Sequence, residues 1–128
     1  MYANILVIGL EESVAAELSK SLSELHHTVF SERCLSPAAA IRSIDRTAAE
    51  LVFCTAEPSI YEGLLKLLRE QGRQVPVVVV SRLPEIDKWL DAMDAGAADY
   101  CAPPFESRPL RAIVETTVKQ PRALLEVC

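Results

Sequence analysis

Short apolar runs alternate with stretches of helical periodicity from one end of the chain to the other. Residues 3–8, 28–31, 50–54, 76–80 and 98–102 are mostly apolar or β-branched over four to six positions, the length and composition of strands. Residues 76–80 are almost wholly β-branched, which suits a strand covered on both sides. Between these runs the apolar positions recur at three and four. Val14, Leu18, Leu22 and Leu25 form one stripe, and Ile41 and Ile44 a second. Leu64, Leu65, Leu67 and Leu68 form a third, Ile86, Leu90 and Met93 a fourth, and Leu110, Ile113, Val114 and Thr117 a fifth. Each stripe is expected to face inward.

Five strand–helix repeats predict an α/β fold, a doubly wound three-layer sandwich of five parallel strands with five helices on its two faces. Boundary signals support the division. Ser36-Pro37 reads as a helix cap with proline in the first turn. Ser59 and Glu62 have capping-box spacing, Gly72 suits a helix end, and Ser107 suits a cap. The fourth helix is expected from about Pro84 to Gly96, and Pro121 is expected to stop the fifth. Residues 1–120 read as one domain and residues 121–128 as a tail. In such folds ligands sit beyond the carboxyl ends of the strands. Function is therefore sought in residues 9–12, 55–58, 81–82 and 102–105.

Composition narrows the function classes. The chain has 128 residues, 18 acidic against 13 basic, and a net charge of −5. That balance lacks the cationic surface nucleic acid requires. No apolar run is long enough to cross a bilayer, and no leader-like segment precedes the first strand. A cytoplasmic location is the expectation. The four cysteines, Cys34, Cys54, Cys101 and Cys128, are irregularly spaced with no CxxC, as in a reduced protein with buried thiols.

The segment at residues 75–105, VPVVVVSRLPEIDKWLDAMDAGAADYCAPPF, carries a resemblance. Its strand ends in Ser81, its helix closes on Ala95-Gly96-Ala97, and its second strand holds Asp99-Tyr100 before Pro103-Pro104-Phe105. It resembles the second half of a response-regulator receiver (CheY-like) domain, and the likeness extends over residues 3–118. The resemblance implies a flavodoxin-like sheet in the order 2-1-3-4-5. It also implies a site in which an aspartate after the third strand accepts a phosphoryl group. Two acids after the first strand would hold magnesium there, and a lysine after the fifth strand would contact the phosphoryl oxygen. At those positions this chain has Thr55, then Gly9 and Leu10, then Pro103. A threonine hydroxyl is a poor acceptor without a neighbouring base, and Gly9 and Leu10 offer a metal no side-chain oxygen. Ser81 and Tyr100 do match the family's switch residues. The implication is a pseudo-receiver, with the fold kept and the phosphorylation site lost.

Other residues admit two readings each. Glu11, Glu12 and Glu57 lie two positions beyond the expected acids. They would either gather around a cation or, for Glu11 and Glu12, simply begin a helix at the positive end of its dipole. The second is favoured, and no metal is expected. Gly9 with Ser13 falls far short of a phosphate-binding motif. Arg82 beside the cleft is either an anion contact or an exposed arginine. His26-His27 read as a turn at the opposite end of the sheet. Cys54 reads as a buried structural thiol rather than a redox sensor. Trp89, off the centre of its helix stripe, either anchors a partner or folds onto its own helix.

These readings point to a phosphorylation-independent signalling module of a two-component or phosphorelay-type system. It would work by protein–protein contact or dimerisation through the fourth helix, fifth strand and fifth helix. No catalytic constellation is present and no cofactor is expected. The alternative is an anion- or nucleotide-sensing module using Ser81, Arg82 and backbone amides near Gly9.

Overall fold

The computed structural model describes residues 2–34 and 36–127, with side chains through residue 118. Five strands and five helices alternate. They are β1 (Asn4–Ile8), α1 (Glu12–Glu24), β2 (Thr28–Glu32), α2 (Pro37–Thr47), β3 (Leu51–Thr55), α3 (Pro58–Glu70), β4 (Val77–Val80), α4 (Ile86–Asp94), β5 (Asp99–Cys101) and α5 (Ser107–Val127). The sheet is parallel throughout, in the order β2-β1-β3-β4-β5. Successive strand residues point to opposite faces, and the core divides accordingly. Leu6, Ile8, Val52, Cys54, Val77 and Val79 pack with Ala40, Ile44, Leu64, Leu68 and Ala92 from α2, α3 and α4. Ile5, Val7, Leu51, Phe53, Val78 and Val80 pack with Leu18, Leu22, Leu110 and Val114 from α1 and α5.

Helix ends follow their local chemistry. The Ser36 hydroxyl accepts from the Ala39 amide at 3.2 Å, with Pro37 in the first turn. At the end of α3, Gly72 (φ +66) donates to the Arg69 carbonyl and Arg73 to the Leu68 carbonyl, the paired bonds of a left-handed helix terminus. His26 (φ +72) takes the same left-handed position after α1. Two expected caps are displaced. The cap of α3 is Glu57 rather than Ser59, because Pro58 already suits the first helical position. The α5 helix begins at Ser107 itself, with the Leu110 amide bonded to the Glu106 carbonyl.

Two further expectations fail. Helix α5 continues through Pro121 to Val127, so the proline does not end it. Proline lacks an N–H, which removes one intrahelical bond without forbidding the turns on either side. The larger departure is α4. Ile86, Leu90 and Met93 do not face inward. They are 70%, 49% and 39% exposed, and Trp89 is 45% exposed. The buried residue of α4 is Ala92, which packs with Ala97 and the partly buried Ala95. Small side chains let this nine-residue helix lie close to the sheet, and its apolar stripe is left on the outside.

Candidate functional site

The strands end at a cleft of about 480 Å³. Gly9, Leu10 and Glu11 line it from the loop after β1, and Thr55, Ala56 and Glu57 from the loop after β3. Ser81 and Arg82 after β4 complete the rim, with Tyr61 and Glu62 of α3 and Lys88 and Asp91 of α4. The four helix residues were not singled out in the sequence. The register of α4 placed Lys88 and Asp91 opposite the Ile86–Leu90–Met93 stripe, and that was the available signal.

Gly9 and Thr55 are fitted to each other. Gly9 has φ +73, and a Cβ built there would lie 2.9 Å from the Thr55 methyl carbon Cγ2. The methyl thus occupies the room that a side chain at position 9 would need. The Thr55 hydroxyl accepts from the Glu57 amide at 3.2 Å, closing a local turn. Leu10 packs partly against the α1–α5 side of the core. Pro103 is joined to Pro104 by a cis peptide bond and brings no cation to the cleft.

Glu11 and Arg82 meet across the rim. The Arg82 guanidinium donates to Glu11 Oε2 at 2.8 Å, between loops 71 residues apart in the chain. The candidate anion contact is therefore already paired with a carboxylate. Lys88 lies 3.9 Å from Glu85. The remaining acids of the lining, Glu57, Glu62 and Asp91, leave the cleft net negative. Burial pushes the Tyr61 phenol above its ordinary pKa, with the negative charge of Glu62 and Asp91 adding to it. Glu11 and Glu57 line the same cleft, but among the described residues no three histidine, cysteine or acidic side chains converge as a metal site. Glu11 stands at the N-cap position of α1 without a side-chain capping bond, and Glu12 lies in the first turn.

The two switch-like residues share an acceptor. Ser81 is buried and its hydroxyl donates to the Leu83 carbonyl at 2.9 Å. The Tyr100 hydroxyl reaches the same carbonyl at a long 3.5 Å. Leu83 itself was not anticipated, and its side chain is 67% exposed beside α4. Burial pushes the thiols of Cys54 and Cys101 up to about 12, which favours their protonated form. Cys34, Cys54 and Cys101 are free. Cys128 lies outside the described residues. His26 and His27 sit at the far end of the sheet, where His27 Nδ1 accepts from the Ala3 amide at 3.1 Å.

This arrangement of strands, helices and cleft is that of the receiver fold. A putative response regulator from Chloroflexus aurantiacus superimposes with a TM-score of 0.78 at 23% identity, over 94% of this chain and all of its own. NtrX from Brucella abortus does so with a TM-score of 0.79 at 25% identity, over 99% of this chain and 30% of its own. In sequence, the chain is 30% identical over 116 residues to the response regulator protein FleR of Pseudomonas aeruginosa, covering 89% of this chain and 24% of FleR. It is 25% identical over 118 residues to the transcriptional regulatory protein PrrA of Mycobacterium leprae, covering 91% of this chain and 50% of PrrA. The chain thus spans half or less of the curated relatives it matches. No family model matches it. In sequence and in fold the chain is thus similar to the receiver domains of response regulators.

Proposed function

We infer that this domain is a pseudo-receiver of two-component or phosphorelay-type signalling, cytoplasmic and without enzymatic activity. It acts by contact with another protein chain, independently of phosphorylation. The observation that carries this reading is the packing of Thr55 against Gly9. Where an acceptor carboxylate and a metal would meet, a methyl group fills a glycine's space, and neither Leu10 nor Pro103 supplies charge. The exposed stripe on α4 supplies the surface for contact, together with β5 and α5. Incubation with a small phosphodonor and magnesium is expected to leave the mass of the chain unchanged. An acid-resistant gain of one phosphate on Thr55 would overturn the reading. The anion-sensing alternative is weaker, because Arg82 is paired with Glu11 and acids predominate around the cleft.

A further inference from the structure

The sheet ends on one side at β2, and that edge is open. Strands β1, β3 and β4 are buried almost throughout, whereas Thr28, Phe30 and Ser31 of β2 are exposed. The Thr28 amide donates to the Ala3 carbonyl, and the Glu32 carbonyl accepts from the Gly9 amide, so the even-numbered residues of β2 bond to β1. Alternation along the strand turns the N–H and C=O groups of Val29 and Ser31 away from the sheet. Protected edges carry a proline, a bulge or outward charges. Residues 28–31 of β2 hold no proline and no charge, and the register with β1 runs without a bulge. The acid that follows, Glu32, is held on its own chain by the Ser43 hydroxyl and the Arg46 guanidinium.

The edge is also complementary to itself. Laid antiparallel about a two-fold axis through Phe30, two copies of β2 set Thr28 opposite Glu32, Val29 opposite Ser31, and Phe30 opposite Phe30. Val29 and Ser31 of the two chains then exchange their outward N–H and C=O groups. The two Phe30 rings meet at a non-hydrogen-bonded position, where cross-strand side chains come closest. Phe30 is in register with Leu6, lies on the α2 face, and is 36% exposed. No like charges are opposed. Farther along, Arg33 comes opposite His27 of the second copy, on the α1 face that Val29 shares. Glu24, the last residue of α1, lines the same hollow as His27, and the negative end of the helix dipole reinforces its charge. Arg33 and Glu24 are both exposed, and neither takes part in an ion pair among the described residues. The two-fold axis brings such a pair together on each side of Phe30.

We propose that the β2 edge receives the β2 edge of a second copy of this chain, antiparallel about Phe30, so that the two five-stranded sheets continue as one across the contact. Arg33 of each copy meets Glu24 of the other. The contact is short, so the dimer forms and parts with concentration. It is separate from the cleft and from the α4 stripe, and it stands whether or not Thr55 accepts a phosphoryl group.

The test is sedimentation of the intact 128-residue chain from micromolar to millimolar concentration. A monomer–dimer equilibrium is expected, with hydrogen exchange at the Val29 and Ser31 amides slowing as the dimer accumulates. Ser31→Pro removes an outward N–H and spares the bonds to β1, so it should abolish the dimer while circular dichroism stays unchanged. Arg33→Glu and Glu24→Arg, both at exposed positions, should each weaken the dimer by about tenfold at low salt. The double variant restores opposite charges and should recover most of that loss. A chain that stays monomeric throughout the range would overturn the proposal. So would a dimer that survives Ser31→Pro, one that leaves exchange at Val29 and Ser31 unchanged, or a double variant no tighter than the single ones.

Discussion

Gly9 and Thr55 share one small volume at the cleft floor, so substitutions there are coupled. Gly9→Ala puts a Cβ on a left-handed backbone and 2.9 Å from the Thr55 methyl. It should cost about 1–3 kcal/mol in denaturant-induced unfolding. In a Thr55→Ser background the methyl is gone, and the same change should cost about 0.5–1 kcal/mol less. Additive costs would show that the methyl does not hold that space. At the opposite end of the sheet, burial depresses the pKa of His27, whose Nδ1 needs its lone pair for the Ala3 amide. A histidine with a depressed folded pKa binds its proton more readily when unfolded. Its stabilising effect is therefore present above the unfolded value of about 6.5 and is lost as pH falls from there toward the folded value. Unfolding curves should show stability declining below about pH 6.5, and His27→Asn should flatten that decline.

Helix α4 is the element where pattern and packing part company. Its periodicity was legible in the sequence, and so was the existence of the helix. Which face turned inward was not. A nine-residue helix seated on Ala92 needs only small residues against the sheet, and Ala92, with Ala95 and Ala97 just past the helix end, looks unremarkable beside Ile86, Leu90 and Met93. Hydrophobic spacing reports that one side differs from the other. It does not report what lies against it. The consequence is measurable. Ala92→Leu should overpack the contact and cost about 1–3 kcal/mol, whereas Ile86→Ser should change stability by less than about 0.5 kcal/mol. The reverse ranking in thermal or chemical unfolding would restore the stripe to the core. The other helices behaved as their patterns required, because their stripes are rich enough to cover a whole sheet face. Helix α5 ran past Pro121 because local proline geometry is a cost rather than a prohibition.

At the scale of the molecule, the alternation of apolar runs and helical stripes was enough to define a doubly wound sandwich. The strand order came only through the likeness of residues 75–105 to receivers. The cleft was legible as a position, since strand ends define it in this architecture. Its interior pairing was not. Glu11 and Arg82 are 71 residues apart, and no local signal joins them. Likewise the fit of Thr55 into the space beside Gly9 depends on backbone angles that residue type only hints at.

The Leu83 carbonyl, which takes the Ser81 hydroxyl and lies within reach of Tyr100, has a consequence for how such a molecule would carry information. If, as proposed, no covalent trigger competes for the serine that is anchored on this carbonyl, the domain would offer one posture rather than two. A module with one posture transmits by abundance: its effect on a partner follows the law of mass action, half-saturating where its free concentration equals the dissociation constant. Cells would then tune the signal through synthesis and turnover of the chain, on the timescale of minutes to generations rather than of chemistry.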